Sequence, residues 1–199
     1  MREATLTQAA ETTGLGSSFS GVTVDEFKEF LRTDTSTVIG FARRLMGDDE
    51  SGRDLAQDAL IKAFRHLDSF RGEASLKTWV IRITVNEGLK RLRRRRLKEK
   101  VAGWFVSGQD NHRPLGYGLR RSKTPEQEAG LSEQARFLDE ALQSLPDRQR
   151  TVVLLRYVEG MSVAEIAQAT GVGQGTVKTH LARALRKIRS LRDRLEREV

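Results

Sequence analysis

The run from Leu76 to Arg96 constrains the fold most, because its residues fit one secondary structure and give it two unlike faces. Ile81, Val85, Leu89 and Leu92 recur at steps of four, four and three, which puts them on one stripe of an α-helix that calls for a core. Trp79, Arg82, Asn86, Lys90 and Arg93 fall on the opposite stripe. An aromatic ring, an amide and cations on one face can stack on a base, hydrogen-bond its edge and neutralise phosphates. A basic run is more often a merely solvated face, so this reading needs a second sign elsewhere in the chain. Gly88 interrupts the helix where a better helix former would add about 1 kcal/mol, so the basic end is expected to bend or fray.

The 199 residues suffice for one ordinary domain or two small ones. With no cysteine, disulfides, thiolate metal sites and cysteine nucleophiles are excluded. The net charge of +8 gathers at Lys90–Lys100 and again after Lys178, whereas Asp48–Asp58 is acidic. That asymmetry points to a polyanionic partner, nucleic acid first. Neither a membrane-length apolar run nor a secretory signal pattern occurs, so the chain is expected to stay cytoplasmic and not to insert in a membrane. Three prolines and long 3.6-period patterns argue for an all-α protein.

In chain order, residues 1–22 form a polar tail expected to be mobile. Phe27, Phe30, Leu31, Val38, Phe41, Ala42 and Leu45 then predict one amphipathic helix or a pair, broken at Gly47. The next helix, about 51–67, buries Ala56, Leu60, Ala63, Phe64 and Leu67 by spacing. Its other face carries Asp54, Asp58, Ile61 and Arg65, with Gln57 and Lys62 at the margins. An isoleucine among charges hints at a protein-binding surface. After Lys100 the periodicity dissolves. Five glycines, Pro114 and Pro125 in 101–130 predict a flexible linker, with a Trp104-Phe105-Val106 patch that is odd for a spacer. A stripe of Leu131, Ala135, Leu138 and Leu142 follows, then a helix entered through Pro146 with Val152, Leu155 and Val158 inward.

The second sign lies near the C-terminus. Ser162-Val163-Ala164-Glu165 is a capping box that opens a short helix. Ala167, Gly171 and Val177 then have helix-turn-helix spacing: a small residue for close approach, a glycine for the turn, a branched wedge on the second helix. That helix has an apolar stripe of Val177, Leu181, Ala184, Leu185 and Ile188. Thr176, Thr179, His180 and Arg183 share its opposite face beside Lys178, a set suited to the major groove. A plain helical hairpin would explain the glycine turn, but not the cap, the triplet and the basic face together.

In this setting, Asp54-Leu-Ala-Gln-Asp-Ala-Leu-Ile-Lys-Ala-Phe64, Phe70-Arg-Gly-Glu-Ala-Ser75, Thr78-Trp-Val-Ile-Arg-Ile-Thr-Val-Asn86, Leu145-Pro-Asp-Arg-Gln-Arg150 and Gly175-Thr-Val-Lys-Thr-His-Leu-Ala-Arg183 resemble, in order, the motifs of bacterial extracytoplasmic-function (ECF) sigma factors. The resemblance implies two small helical domains, sigma domain 2 at 23–97 and a helix-turn-helix sigma domain 4 at 131–199, joined by a linker at 98–130. It implies a stress-responsive alternative sigma factor that binds core RNA polymerase, recognises −35 and −10 promoter elements, helps melt the duplex, and is held by an anti-sigma factor. Polymerase docking would fall to Asp54, Gln57, Asp58, Ile61, Lys62 and Arg65. An unstacked base of the single-stranded −10 element would be captured by the loop Phe70, Arg71, Ser75, Leu76 and Lys77 with Asn86, and Trp79 would pack beneath the loop. Lys90, Arg91 and the arginines from Arg93 and Arg94 to Arg96 would hold phosphates. Thr176, Lys178, Thr179, His180 and Arg183 would read the duplex −35 element. The chain would act as a monomer on the polymerase, with no cofactor, metal, catalytic residue or small-molecule substrate.

Two other classes compete. An ordinary helix-turn-helix regulator would have a sensor domain in front, and no alternating strand-helix pattern occurs here. A nuclease would need a carboxylate cluster such as Asp48, Asp49, Asp54 and Asp58, but acidic residues collect at helix starts for dipole reasons, and His66, His112 and His180 lack metal-ligand spacing.

Overall fold

In the computed structural model the described residues are 22–106 and 133–198. They form seven α-helices and no strand. Residues 1–21 of the expected N-terminal tail, most of the expected linker, Leu131 and the side chains of Trp104-Phe105-Val106 lie outside what is described, whereas Val22, expected in the tail, is buried in the core.

Helix α1 is a single element, Val24–Met46. Thr23 starts it as a reciprocal cap: its hydroxyl accepts from the Glu26 N–H at 3.2 Å, and the Glu26 carboxylate accepts from the Thr23 N–H at 2.7 Å. Gly47 ends it in the left-handed region at φ 84°, where only glycine sits without strain. Asp48 then caps α2, Asp49–Arg65, by accepting from the Ser51 N–H at 2.7 Å. The two helices pack so closely at Gly52 that a Cβ there would lie 2.5 Å from the Arg43 Cα.

Helix α3 runs unbroken from Leu76 to Val106 across these two. Val80, Ile81, Val85 and Leu92 are buried and Leu89 is half-buried, as the stripe requires. They meet Phe27, Phe41, Leu45 and Leu55 of α1 and α2 in one core. The basic end, expected to bend or fray from Gly88, stays in one continuous helix. A Cβ at Gly88 would sit 2.5 Å from Leu45 Cδ2 and 3.1 Å from Leu55 Cδ2, so the glycine is a point of close helix approach. Local propensity is overridden there by packing. The helix also continues past Lys100, into the stretch expected to be linker. Phe64, expected inside, is only half-buried.

The second unit comprises α4 (Glu133–Ser144), α5 (Asp147–Val153), a π-helical turn (Leu154–Val158), α6 (Val163–Thr170) and α7 (Gln174–Glu198). Ala141, Leu142 and Leu145 face its core, whereas Leu138 is 50% exposed, so the inward stripe of α4 is rotated from the expected one. Val152 and Leu155 are buried as expected, but Val158 is not. The reason is the wide turn. Glu159 N–H bonds to the Leu154 carbonyl at 3.2 Å and Met161 N–H to the Leu155 carbonyl at 3.0 Å, and Met161 fills the core in place of Val158. On α7, Val177 and Ala184 are buried, Leu181 and Ile188 flank them, and Leu185 points outward.

The two units touch. The start of α3 packs against α6, α3 also meets α5, and α1 reaches the π-turn.

Gly88→Ala is expected to lower stability by about 1–2 kcal/mol: overpacking costs roughly 1–3 kcal/mol and helix propensity returns up to about 1 kcal/mol. Urea unfolding checks this, and an unchanged or higher midpoint would contradict the packing role.

Candidate nucleic-acid and partner interfaces

The face of α2 is tied to α3 by charge. Asp54, Asp58 and Arg65 are exposed, and Gln57, Ile61 and Lys62 are half-buried. Lys62 Nζ donates to Glu87 Oε1 of α3 at 2.6 Å, and Lys90 reaches the same oxygen at 3.1 Å. The Lys62 hydrogen bond, against opposing burial and with help from Lys90, holds the Glu87 carboxyl below its ordinary range. Arg91, expected among the phosphate-holding cations, instead bonds Asp58 and the Asp54 carbonyl. The six α2 residues thus form a continuous surface with Ile61 as its apolar centre.

Between α2 and α3 the chain makes a 3-10 turn, Leu67–Ser69, and a short loop. Phe70 is buried, and its ring meets Trp79 edge-on at 5.4 Å. Its side chain therefore backs the loop and is not presented to solvent. Arg71 and Ser75 are exposed on that loop, and the Ser75 hydroxyl caps α3 by accepting from the Thr78 N–H at 3.1 Å. Leu76 and Lys77 are half-buried. Asn86 is exposed on the same side as Trp79 and two turns on, roughly 10 Å along the axis. Lys90, Arg93 and Arg94 are exposed further along. The base of the loop, Asn86 and the cations therefore define a track along α3.

In the second unit both halves of the predicted cap are present: Ser162 Oγ accepts from the Glu165 N–H at 3.2 Å and Glu165 accepts from the Ser162 N–H at 2.9 Å. Gly171 turns the chain at φ 66°, Val172 N–H returns to the Ala167 carbonyl at 3.3 Å, and Val177 is fully buried. The predicted helix-turn-helix triplet does what its residue types require. Thr176, Lys178, Thr179 and Arg183 are exposed along the first half of α7. His180 differs from them: it is half-buried and its Nδ1 has no partner. Burial first, then Arg148 of α5 and Arg183, push its pKa below the ordinary imidazole value, so the ring is neutral at pH 7.

Sequence reasoning missed Arg150, which is buried within this unit on α5. It donates to Asp147 at 2.7 Å and to Gln143, and burial draws its pKa below the usual guanidinium value while Asp147 opposes that shift. The Asp147–Arg150 spacing of three on one helix is the signal that could have found it. Across the units, Lys77 pairs with Glu159 at 3.3 Å and Arg96 with Asp147 at 2.9 Å. Of the acidic residues considered as a metal cluster, Asp48 caps α2, Asp49 pairs with Arg43 and Arg53, and Asp58 pairs with Arg91. Among the described residues no group of side chains could hold a metal ion, and no helix is long and apolar enough to cross a membrane.

Comparison with known proteins assigns this arrangement. The Sigma-70 region 2 family model matches residues 31–98, and the Sigma-70, region 4 model matches residues 137–188. The ECF RNA polymerase sigma-E factor of Haemophilus influenzae is 34% identical over 131 residues, covering 66% of this chain and 69% of that one. The RNA polymerase sigma-E factor of Streptomyces coelicolor is 32% identical over 164 residues, 82% of this chain and 84% of that one. Among solved structures, the sigma factor RpoE in complex with the anti-sigma factor NepR from Bartonella quintana superposes with a TM-score of 0.64 at 26% identity, covering 85% of this chain and 98% of that one. CnrH in complex with the cytosolic domain of CnrY has the same fold, with a TM-score of 0.58 at 19% identity. With regions 2 and 4 both matched in chain order and these relatives spanning most of its length, the chain belongs to the ECF sigma factors of RNA polymerase.

Proposed function

We propose that this chain binds core RNA polymerase in the cytoplasm, carries it to promoters with a −35 and a −10 element, and helps open the duplex. The observation that carries the reading is the presence of two separate DNA-suited faces on two units: the Asn86 track of α3 and the first half of α7. The residue roles follow from the chemistry at each. On α3, the loop of Arg71 and Ser75, backed by Phe70 on Trp79, and Asn86 take a base pulled from the −10 strand. Extraction costs a few kcal/mol, returned by stacking and edge hydrogen bonds. Lys77, Lys90, Arg93 and Arg94 neutralise phosphates, adding affinity and salt dependence with little base discrimination. On α7, Thr176, Lys178, Thr179 and Arg183 enter the major groove of the −35 element, and His180 contributes as an uncharged hydrogen-bonding ring at its margin.

The α2 surface of Asp54, Gln57, Asp58, Ile61, Lys62 and Arg65 docks on the polymerase, with Ile61 as an apolar anchor inside a charged rim. The units so used are domain 2 at 23–97 and domain 4 at 131–199, and one copy serves one polymerase. The RpoE structure that matches was solved with an anti-sigma factor, which supports a similar protein inhibitor for this chain. Its role is then to be released under stress. It supplies no catalytic group, cofactor site or small-molecule site of its own.

Co-elution with sigma-free core polymerase tests the first step. Ile61→Asp is expected to weaken that complex at least tenfold, from the loss of one buried hot-spot side chain, while far-ultraviolet circular dichroism stays unchanged; undiminished binding would remove Ile61 from the surface. Arg183→Ala is expected to lower discrimination for a −35 duplex by about 1–3 kcal/mol, read as lost sequence preference of the polymerase complex on a promoter library. An unchanged preference would take Arg183 out of the reading set. Because its folded pKa is depressed, His180 is expected to titrate below the ordinary value of about 6.5 in an NMR pH series. Its contribution to stability is complete above that pH and is lost as the pH falls from about 6.5 through the folded pKa. A midpoint at or above about 6.5 would contradict the burial argument.

A further inference from the structure

The outward cations of the second unit are not confined to the residues that face base edges. With about 100° between successive residues of a helix, Thr176, Thr179 and Arg183 fall within an arc of about 60° on α7. Arg186 lies about 50° to one side of the middle of that arc, and His180 and Lys187 lie about 50–70° to the other. The second flank is where α5 joins. Lys187 Nζ donates to the Ser144 carbonyl at the end of α4, and the chain then passes through Leu145 and Pro146 to Arg148 on the first turn of α5. Arg148 and Arg183 both act, after burial, to depress the pKa of the His180 ring, as expected if Arg148 stands beside the reading face. Arg148 and Arg186 are exposed. Among the described residues neither they nor Arg183 pair with a carboxylate, whereas Arg150 pairs with Asp147, and Arg192 with Asp193 and Glu196. Two uncompensated guanidinium groups thus bracket the reading face, one carried by each of two helices.

We propose that Arg148 and Arg186 form a two-sided phosphate grip, each holding one wall of the major groove that the first half of α7 enters. This inference rests on the assignment of α7 to the −35 duplex. An α-helix with its side chains is about 10–12 Å across and the major groove is about 12 Å wide, so a seated helix brings both of its flanks to phosphates. The planar guanidinium suits that position, because it can give two parallel N–H bonds to one phosphate. Held on both walls, α7 resists rolling in the groove, and Thr179 and Arg183 keep a fixed approach to the base edges. The grip itself reads no base. Its loss weakens binding to every sequence alike, whereas loss of Arg183 changes which sequence is preferred.

The experiment titrates the full chain against a short fluorescent duplex of mixed sequence over a series of salt concentrations. Arg148→Ala and Arg186→Ala are each expected to weaken binding by roughly five- to tenfold at about 0.1 M salt and to reduce the slope of log affinity against log salt by about 0.9. The double variant should reduce it by about 1.8. Arg44→Ala removes the same charge from an exposed position at the end of α1 and is expected to leave the slope unchanged. Arg186→Lys, which keeps the charge, should retain most of the slope, and circular dichroism confirms that each variant folds. The slope is the decisive readout, since a merely structural role for either arginine would not move it. Slopes for both alanine variants equal to that of Arg44→Ala would overturn the grip, and a reduced slope at only one of the two would contradict its two-sided form. Core polymerase binding by the unmodified chain is measured in parallel: its failure would strike the proposed function, while the slopes still report on the grip.

Discussion

Everything in the first unit depends on how closely α3 can approach α1 and α2. At Gly88 the helix has no side chain, and Leu45 and Leu55 occupy the space a Cβ would need. That contact seats Ile81, Val85 and Leu92 in the core and so turns Asn86, Lys90 and Arg93 outward. Rotation of α3 by one residue, about 100°, would bury part of the cationic track and expose the apolar stripe. The chemistry of the outward face is therefore set by packing on the inward one. A position without a Cβ in the middle of a long helix, unfavourable by propensity, is what permits the arrangement.

Charge is then divided between structure and partner. Lys62 reaches across to Glu87, Arg91 is taken by Asp58, and Arg150 is buried on Asp147 and Gln143. These cations hold helices in register more than they advertise for DNA. Arg93, Arg94, Lys178 and Arg183 are exposed and lie where a polyanion can reach them. A third group, Lys77 and Arg96, pairs with acidic residues of the other unit. Net charge alone does not distinguish the three groups. Location does.

The sequence made the helices and their principal faces legible because the 3.6-residue period is a local signal, and the Ser162 cap and the Ala167-Gly171-Val177 triplet are local chemistry. Thr23 and Glu26 carry the same capping signature and could have been read the same way. Gly88 was misleading because propensity speaks for the isolated helix, whereas its real neighbours come from two other helices. Leu138 and Val158 departed from the expected faces for related reasons, the first because α4 is rotated on its neighbours and the second because the π-turn adds a residue to the period. Phe70 lay in a recognised loop motif, yet only its contact with Trp79 reveals that it supports the loop from below. Pairs such as Lys77 with Glu159 join residues far apart in sequence, and no periodicity encodes them.

The account's central claim is that two helical units, one for a melted strand and one for intact duplex, serve a polymerase that cannot select start sites without them. Run-off transcription with purified core polymerase, stripped of sigma and supplied with this chain and a random promoter library, tests it most directly. The account predicts transcripts with defined 5′ ends, present only when the chain is added and sharing an upstream duplex element and a downstream melted one. Polymerase that stays silent, or starts indiscriminately whether or not the chain is present, would contradict it.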